Sequence, residues 1–192
     1  MEEEIEEVVE ETSNEEIEIT PLNLNEGNEE NMSDEMKKIK RSKYASFLNV
    51  GTKEVPVWKR MGQGIAEMEV AYNAEEEAEK YIHQDSKTHN VTSYAPASDV
   101  TQKCYVNEPI FEYIDKKRRS RAVEDEAGTQ ILDVFIYDEM ADGKYGAELN
   151  EAIIVVDSFS GDTIGYAVKR NGDPTEGVAT LAENGTVTFT KS

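Results

Sequence analysis

Two histidines and a run of acids lie close together in residues 74–89. His83 shares one side of an alternating segment with Glu79, Tyr81 and Asp85, and His89 follows six residues later. Imidazole and carboxylate groups are the usual donors for divalent metals. Yet there is no HExxH spacing, no cysteine pairing and no closed ligand set, so the cluster reads as the polar surface of a long loop. Gly62-Gln63-Gly64 lacks the third glycine and the following helix that aim N–H groups at a phosphate. Ser158, in DSFSG, has neither the flanking glycine pattern nor a histidine partner for a nucleophile elbow. Glu112 and Asp115 are helix-surface acids with nothing to pair them for general acid–base work. The expectation is a protein that is not an enzyme and uses no cofactor or metal.

The remaining chemistry is a basic run. Lys116, Lys117, Arg118, Arg119 and Arg121 crowd the end of the stretch NEPIFEYIDKKRRSRA, residues 107–122, the one well-marked helix in a chain that otherwise alternates like strand. Asn107 is the expected N-cap, and Pro109 is tolerated in a first turn whose N–H groups lack intrahelical partners. The cations suit the negative end of the helix dipole. A nucleic-acid patch is the weaker reading, because neighbouring subunits of an acidic protein also offer carboxylate partners. Ile110, Phe111 and Ile114 form a narrow apolar stripe that must dock on the strands around it. A fully buried Phe111 ring predicts a cost of about 3–5 kcal/mol for Phe111→Ala.

The 192 residues suffice for one domain with a sizeable core, and their formal charge is −21. Fifteen of the 41 acids lie in residues 1–35, which hold no Lys or Arg, leaving 26 acids against 20 bases in the rest. Residues 1–36 therefore read as an acidic, disordered and dispensable extension. Met32 and Met36 lie close before the first folded-looking residues, so a translation start there would remove this leader. Residues 37–192 form the expected domain. Its moderately acidic balance does not suit gripping phosphates. The single cysteine, Cys104, gives no intrachain disulfide framework, and no apolar run approaches a membrane span. Synthesis or assembly in the cytoplasm is expected.

Strands are expected at 43–50, 65–72, 130–137, 152–156, 163–170, 177–181 and 186–190, with shorter apolar stretches at 53–61 and 91–105. In 65–72, Ala66, Met68, Val70 and Tyr72 share one face, expected to be core, while Ile65, Glu67, Glu69 and Ala71 share the other, mostly polar one. The stretch 74–86 suits an exposed extension from a sheet. Asp142-Gly143, Ser160-Gly161, Asn171-Gly172 and Asn184-Gly185 mark turns, the last two at hairpin grade. The pattern predicts a mostly antiparallel β protein with one helix.

Several segments together resemble the major tail protein of long-tailed bacteriophages and prophages of Gram-positive bacteria. They are KKIKRSKYASFLNVGT, VPVWKRMGQG, VAYNAEEEAEKYIHQDS, VTSYAPASDVTQKCY, NEPIFEYIDKKRRSRAV, ILDVFIYDE and NGDPTEG, in order from Lys37 to Val178. No one motif is decisive, and the acidic extension departs from the pattern. The resemblance implies an antiparallel β-sandwich or partial barrel with one flanking α-helix, whose subunits join as hexameric rings stacked into a tail tube. It also implies a tape measure protein in the lumen, a tail terminator, and DNA that passes without specific binding. The expected location is the virion tail.

On that reading Glu67 and Glu69 are candidates to face the lumen. Glu75, Glu77, Glu79, Tyr81, His83 and Asp85 lie on a loop expected to reach the next ring. Lys116, Lys117, Arg118, Arg119 and Arg121 are candidate contacts between subunits. A monomeric β-sandwich binding or adhesion module is the alternative.

Overall fold

The computed structural model describes residues 36–140 and 143–192. The expected acidic extension, apart from Met36, lies outside them. So does Asp142 of the expected Asp142-Gly143 turn, while Gly143 has φ +66°. Ten strands and one α-helix follow in chain order. They are β1 Tyr44–Asn49, β2 Trp58–Arg60, β3 Ile65–Met68, β4 Ala74–Glu79, β5 Thr88–Tyr94, β6 Ala97–Lys103, α1 Pro109–Ser120, β7 Gly128–Glu139, β8 Lys144–Phe159, β9 Thr163–Leu181 and β10 Val187–Lys191.

Eight strands form one antiparallel sheet in the order β2-β1-β7-β8-β9-β6-β3, with β10 added on β9. The two ends of this order, β2 and β3, are consecutive in the chain, joined only by residues 61–64. Six interstrand gaps of a flat sheet would span roughly 29 Å, whereas the link from Arg60 to Ile65 reaches at most about 18 Å. The sheet must therefore curl, and it forms a half-barrel. Arg41, just before β1, bridges toward the far end of the order by donating to the Met68 carbonyl of β3 at 3.3 Å. The mainly β, partial-barrel architecture with one helix is the one expected.

Both faces of the central strands are covered. Leu48, Ile131 and Ile154 join Val100, Tyr166 and Val168 beneath α1. Their chain neighbours Phe47 and Leu132 point the other way and join Ala45, Val134, Ala147, Ala179 and Val187 in a second core. This explains why β1 and β7 carry apolar residues on both faces, around Ser46 and Asp133, instead of the polar alternation of a one-sided strand.

Helix α1 docks through Ile110 and Ile114, both essentially inaccessible, while Phe111 is half-buried at the margin of the first core. The full cost expected for Phe111→Ala is thus corrected downward, since its ring keeps part of its surface in water. Ile114→Ala is the stronger test. A side chain this buried should cost about 2–5 kcal/mol in chemical denaturation, and a loss below 1 kcal/mol would contradict the docking. The N-cap is Glu108, not Asn107. The Glu108 carboxylate accepts from the Phe111 N–H and from Gln102, while Asn107 sits at φ +66° one residue earlier. Its own N–H donates to Glu112.

Two further expectations are corrected. The strand expected at 65–72 ends at Met68. A bulge against β6 between Ile65 and Met68 breaks the alternation, so these two half-buried side chains both pack on the core. Ala66 and Tyr72, assigned to the core face from the alternation, are exposed. Asn171-Gly172 is no hairpin. The runs on either side of it pair with the same partner, so β9 continues for 19 residues. Between Leu149↔Thr175 and Glu151↔Asn171, β8 advances two residues and β9 four. The excess forms a bulge at Gly172, with φ +68°, where Pro174 can sit without breaking a regular ladder. Ser160-Gly161 and Asn184-Gly185 do turn the chain, with both glycines at positive φ.

Candidate functional site

Strands β4 and β5 pair only with each other, from Ala74↔Tyr94 at the base to Glu79↔Thr88 near the tip. The ribbon continues the β3–β6 pair beyond a single bridge at Ala71↔Ala97 and leaves the sheet where Pro96 removes a ladder donor. Every residue of both strands is exposed. Glu75, Glu77, Glu79, Tyr81, His83 and Asp85 all lie on this projection. The expected exposed extension is therefore a two-stranded ribbon.

Its tip is ordered by its own polar groups. The Tyr81 hydroxyl donates to Glu79 at 2.7 Å, the Tyr81 and His83 rings stack at 6.1 Å, and the Gln84 N–H donates to the Tyr81 carbonyl. His89 stands 3.8 Å from Glu76, on the opposite strand. Among the described residues no group of three or more His, Cys, Asp or Glu is placed to hold a metal. Ile82 is fully exposed at the tip.

Beneath the ribbon's base a cleft of about 910 Å³ opens over one end of the sheet. Its walls include Tyr44, Tyr72, Tyr94 and Phe135, and its floor carries Asp133, Glu148, Asn150 and Arg170. Tyr72 and Tyr94 meet edge to face at 6.4 Å on the rim, each 61% exposed.

On the floor, Arg170 donates two bonds to Asp133, at 2.7 and 3.1 Å, and a third to Ser98, while Ser46 donates to Asp133 at 2.6 Å. This polar layer separates the helix-covered core from the cleft. Burial, followed by the negative charge of Asp133, pushes the Tyr44 phenol well above its ordinary range. Burial also raises the Glu148 carboxyl, with Asp133 and Glu176 adding to the effect. Asn150 is buried, and its Nδ2 has no hydrogen-bond partner among the described residues.

The basic end of α1 is largely engaged within the chain. Lys117 donates to the carbonyls of Glu126 and Gly128 and lies over the Tyr113 ring. Arg118 pairs with Asp115 at 2.7 Å and covers the Phe159 ring, and Arg119 pairs with the same carboxylate at 2.6 Å. Arg121 is the αL C-cap, and its side chain and that of Lys116 lie at the surface. Burial tends to raise the Asp115 carboxyl, but its bonds from Arg118 and Arg119 outweigh that and hold it below the usual range.

A depressed carboxyl contributes stability that is fully present above its unfolded value, near 4, and is lost as pH falls through the folded value. Asp115→Asn should thus lower thermal stability at pH 7, with the difference from the parent chain shrinking below pH ~4. A difference that persists unchanged at low pH would contradict the assignment.

Glu67 and Glu69 are both exposed, as expected for the polar side of their segment. The buried Asp133–Arg170 pair, the unpartnered Asn150 amide and the tyrosine rim were missed. An acid in the middle of ILDVFIY was a visible sign that something must neutralise it, but its partner lies 37 residues away.

No family model matches the chain, and no curated protein matches it. Among solved structures it is similar to a chain in the cryo-electron microscopy structure of the anti-feeding prophage baseplate, 6-fold symmetrised. That match has 8% identity and a TM-score of 0.42, covering 73% of this chain and 97% of the other.

Proposed function

We propose that this chain is a structural protein of a phage tail, and that it is the subunit that polymerises into the tail tube. The observation that carries the reading is the β4–β5 ribbon. A single copy exposes all of it, with Val91 and Ile82 among its accessible apolar side chains. Such a projection has no core of its own, and burial against another surface would cover Tyr81, Ile82, Val91 and Tyr94, all exposed in a single copy. The sequence resemblance to tail tube subunits supplies the kind of assembly, stacked rings, and implies the tape measure and terminator proteins as partners. The virion tail, assembled in the host cytoplasm, is its place on this reading. Its role is that of a conduit, without catalysis.

Glu67 and Glu69 face the bore in this proposal. Repeated around every ring and along the tube, their charge repels DNA phosphates and lets the genome slide. Tails built with Glu67→Lys and Glu69→Lys should eject slowly at low salt and recover as salt screens the attraction. Unchanged ejection at low salt would remove these residues from the bore.

The competing reading, a monomeric binding or adhesion module, draws on the tyrosine-rimmed cleft. Sedimentation velocity separates the two. The tail reading requires species that grow with concentration, and a single small species at every concentration would overturn it.

A further inference from the structure

We infer that the tyrosine-walled cleft binds an arginine side chain of a partner protein. The inference goes beyond the assembly reading and does not rest on it. Charge and walls select a cation, and shape selects a guanidinium.

The cleft holds uncompensated acid. Arg170, the cation among its lining residues, is spent on Asp133, which it holds by two bonds. Glu148 and Asp173 also line the cleft, and among the described residues neither forms an ion pair. Glu148 stands directly across from Glu176 in the β8–β9 ladder, and like charges in that position repel. Burial disfavours the Glu148 charge, and its acidic neighbours add to this. A cation seated there relieves the repulsion. A phosphate or an acidic peptide would worsen it, so nucleic acid and the Glu-rich ribbon of another copy are poor occupants.

The walls favour an organic cation. Tyr44, Tyr72, Tyr94 and Phe135 gather around these acids, and aromatic rings attract cations. A guanidinium is flat and weakly hydrated, so it can stack on a ring while donating to a carboxylate. The chain makes this arrangement elsewhere with its own residues. Arg118 lies 4.0 Å from the Phe159 ring centroid while pairing with Asp115, and Arg41 lies over the Tyr44 ring at 5.4 Å. The volume of about 910 Å³ holds such a side chain together with its flanking backbone, which points to a peptide.

The test follows tyrosine ring signals by NMR in the dilute full-length chain, with Tyr72→Phe and Tyr94→Phe assigning the rim. The probe is the capped peptide Gly-Arg-Gly, with capped Gly-Lys-Gly and Gly-Leu-Gly as controls. The arginine peptide should shift the rim signals saturably, bind more tightly than either control, and weaken as salt rises. Glu148→Gln and Tyr94→Leu, which leave both cores untouched, should each weaken it about fivefold or more. The inference is overturned by no saturable shift, by a control that binds as tightly, or by a Glu148→Gln chain within about twofold of the parent. Those results leave the assembly reading intact. An apparent affinity that falls as the chain itself is concentrated would give the cleft to a second copy and overturn the partner.

Discussion

Arg170→Met should destabilise the chain by about 3–5 kcal/mol, seen as a fall in Tm of roughly 6–20 °C. The reason is what it leaves behind. The Arg170 and Asp133 side chains are each only 4% exposed, and the guanidinium supplies two of the bonds that hold the carboxylate. Without it Asp133 must either stay charged among β1, β7 and β8 or take up a proton. The companion Asp133→Leu should be costly for the same reason in reverse. Combining the two removes both charges and leaves only the serine hydroxyls of Ser46 and Ser98 to find other partners. The double variant should therefore lose clearly less than the sum of the singles. Additive losses, or a single-variant loss below 1 kcal/mol, would mean that the pair does not work as a unit.

Replacing residues 74–94 with a short Gly-containing turn should abolish long polymers while leaving the unfolding midpoint close to that of the parent. β4 and β5 pair only with each other, and none of their residues is buried. Removing the ribbon deletes no core residue. The two cores, the sheet and α1 keep all of their buried side chains. What is lost is a surface whose energy is realised only between copies. Circular dichroism and light scattering on the same samples separate the effects. A folded variant that still builds long polymers would remove the ribbon from the assembly contact. A variant that unfolds at much lower temperature would show that the ribbon braces the sheet.

The sequence made local features legible and left the global ones hidden. The strand run ILDVFIY, the apolar stripe Ile110 and Ile114, and the exposed Glu-rich extension could all be read because each depends on a short window. The two errors of alternation have one physical source. A bulge inserts residues without changing the local composition, so Ile65 and Met68 share a core despite opposite parity, and Asn171-Gly172 looks like a hairpin while continuing a strand. The mistaken cap is similar, because Asn107 and Glu108 both suit a helix start and only φ distinguishes them. The candidate site was half visible. The ribbon's polar residues are contiguous in sequence, whereas the cleft gathers Tyr44, Tyr94, Phe135, Asn150 and Arg170 from five strands, and no short pattern records that meeting. The basic run showed its place at a helix end but not that Lys117, Arg118 and Arg119 find partners inside their own chain.

The central claim is that copies of this chain build a tube. Negative-stain electron microscopy of the purified full-length protein at high concentration tests it most directly. The account predicts rings, or stacked rings of uniform bore, that lengthen with concentration and disappear when the ribbon is shortened. A field of isolated globular particles at every concentration, from protein shown to be folded, would contradict it.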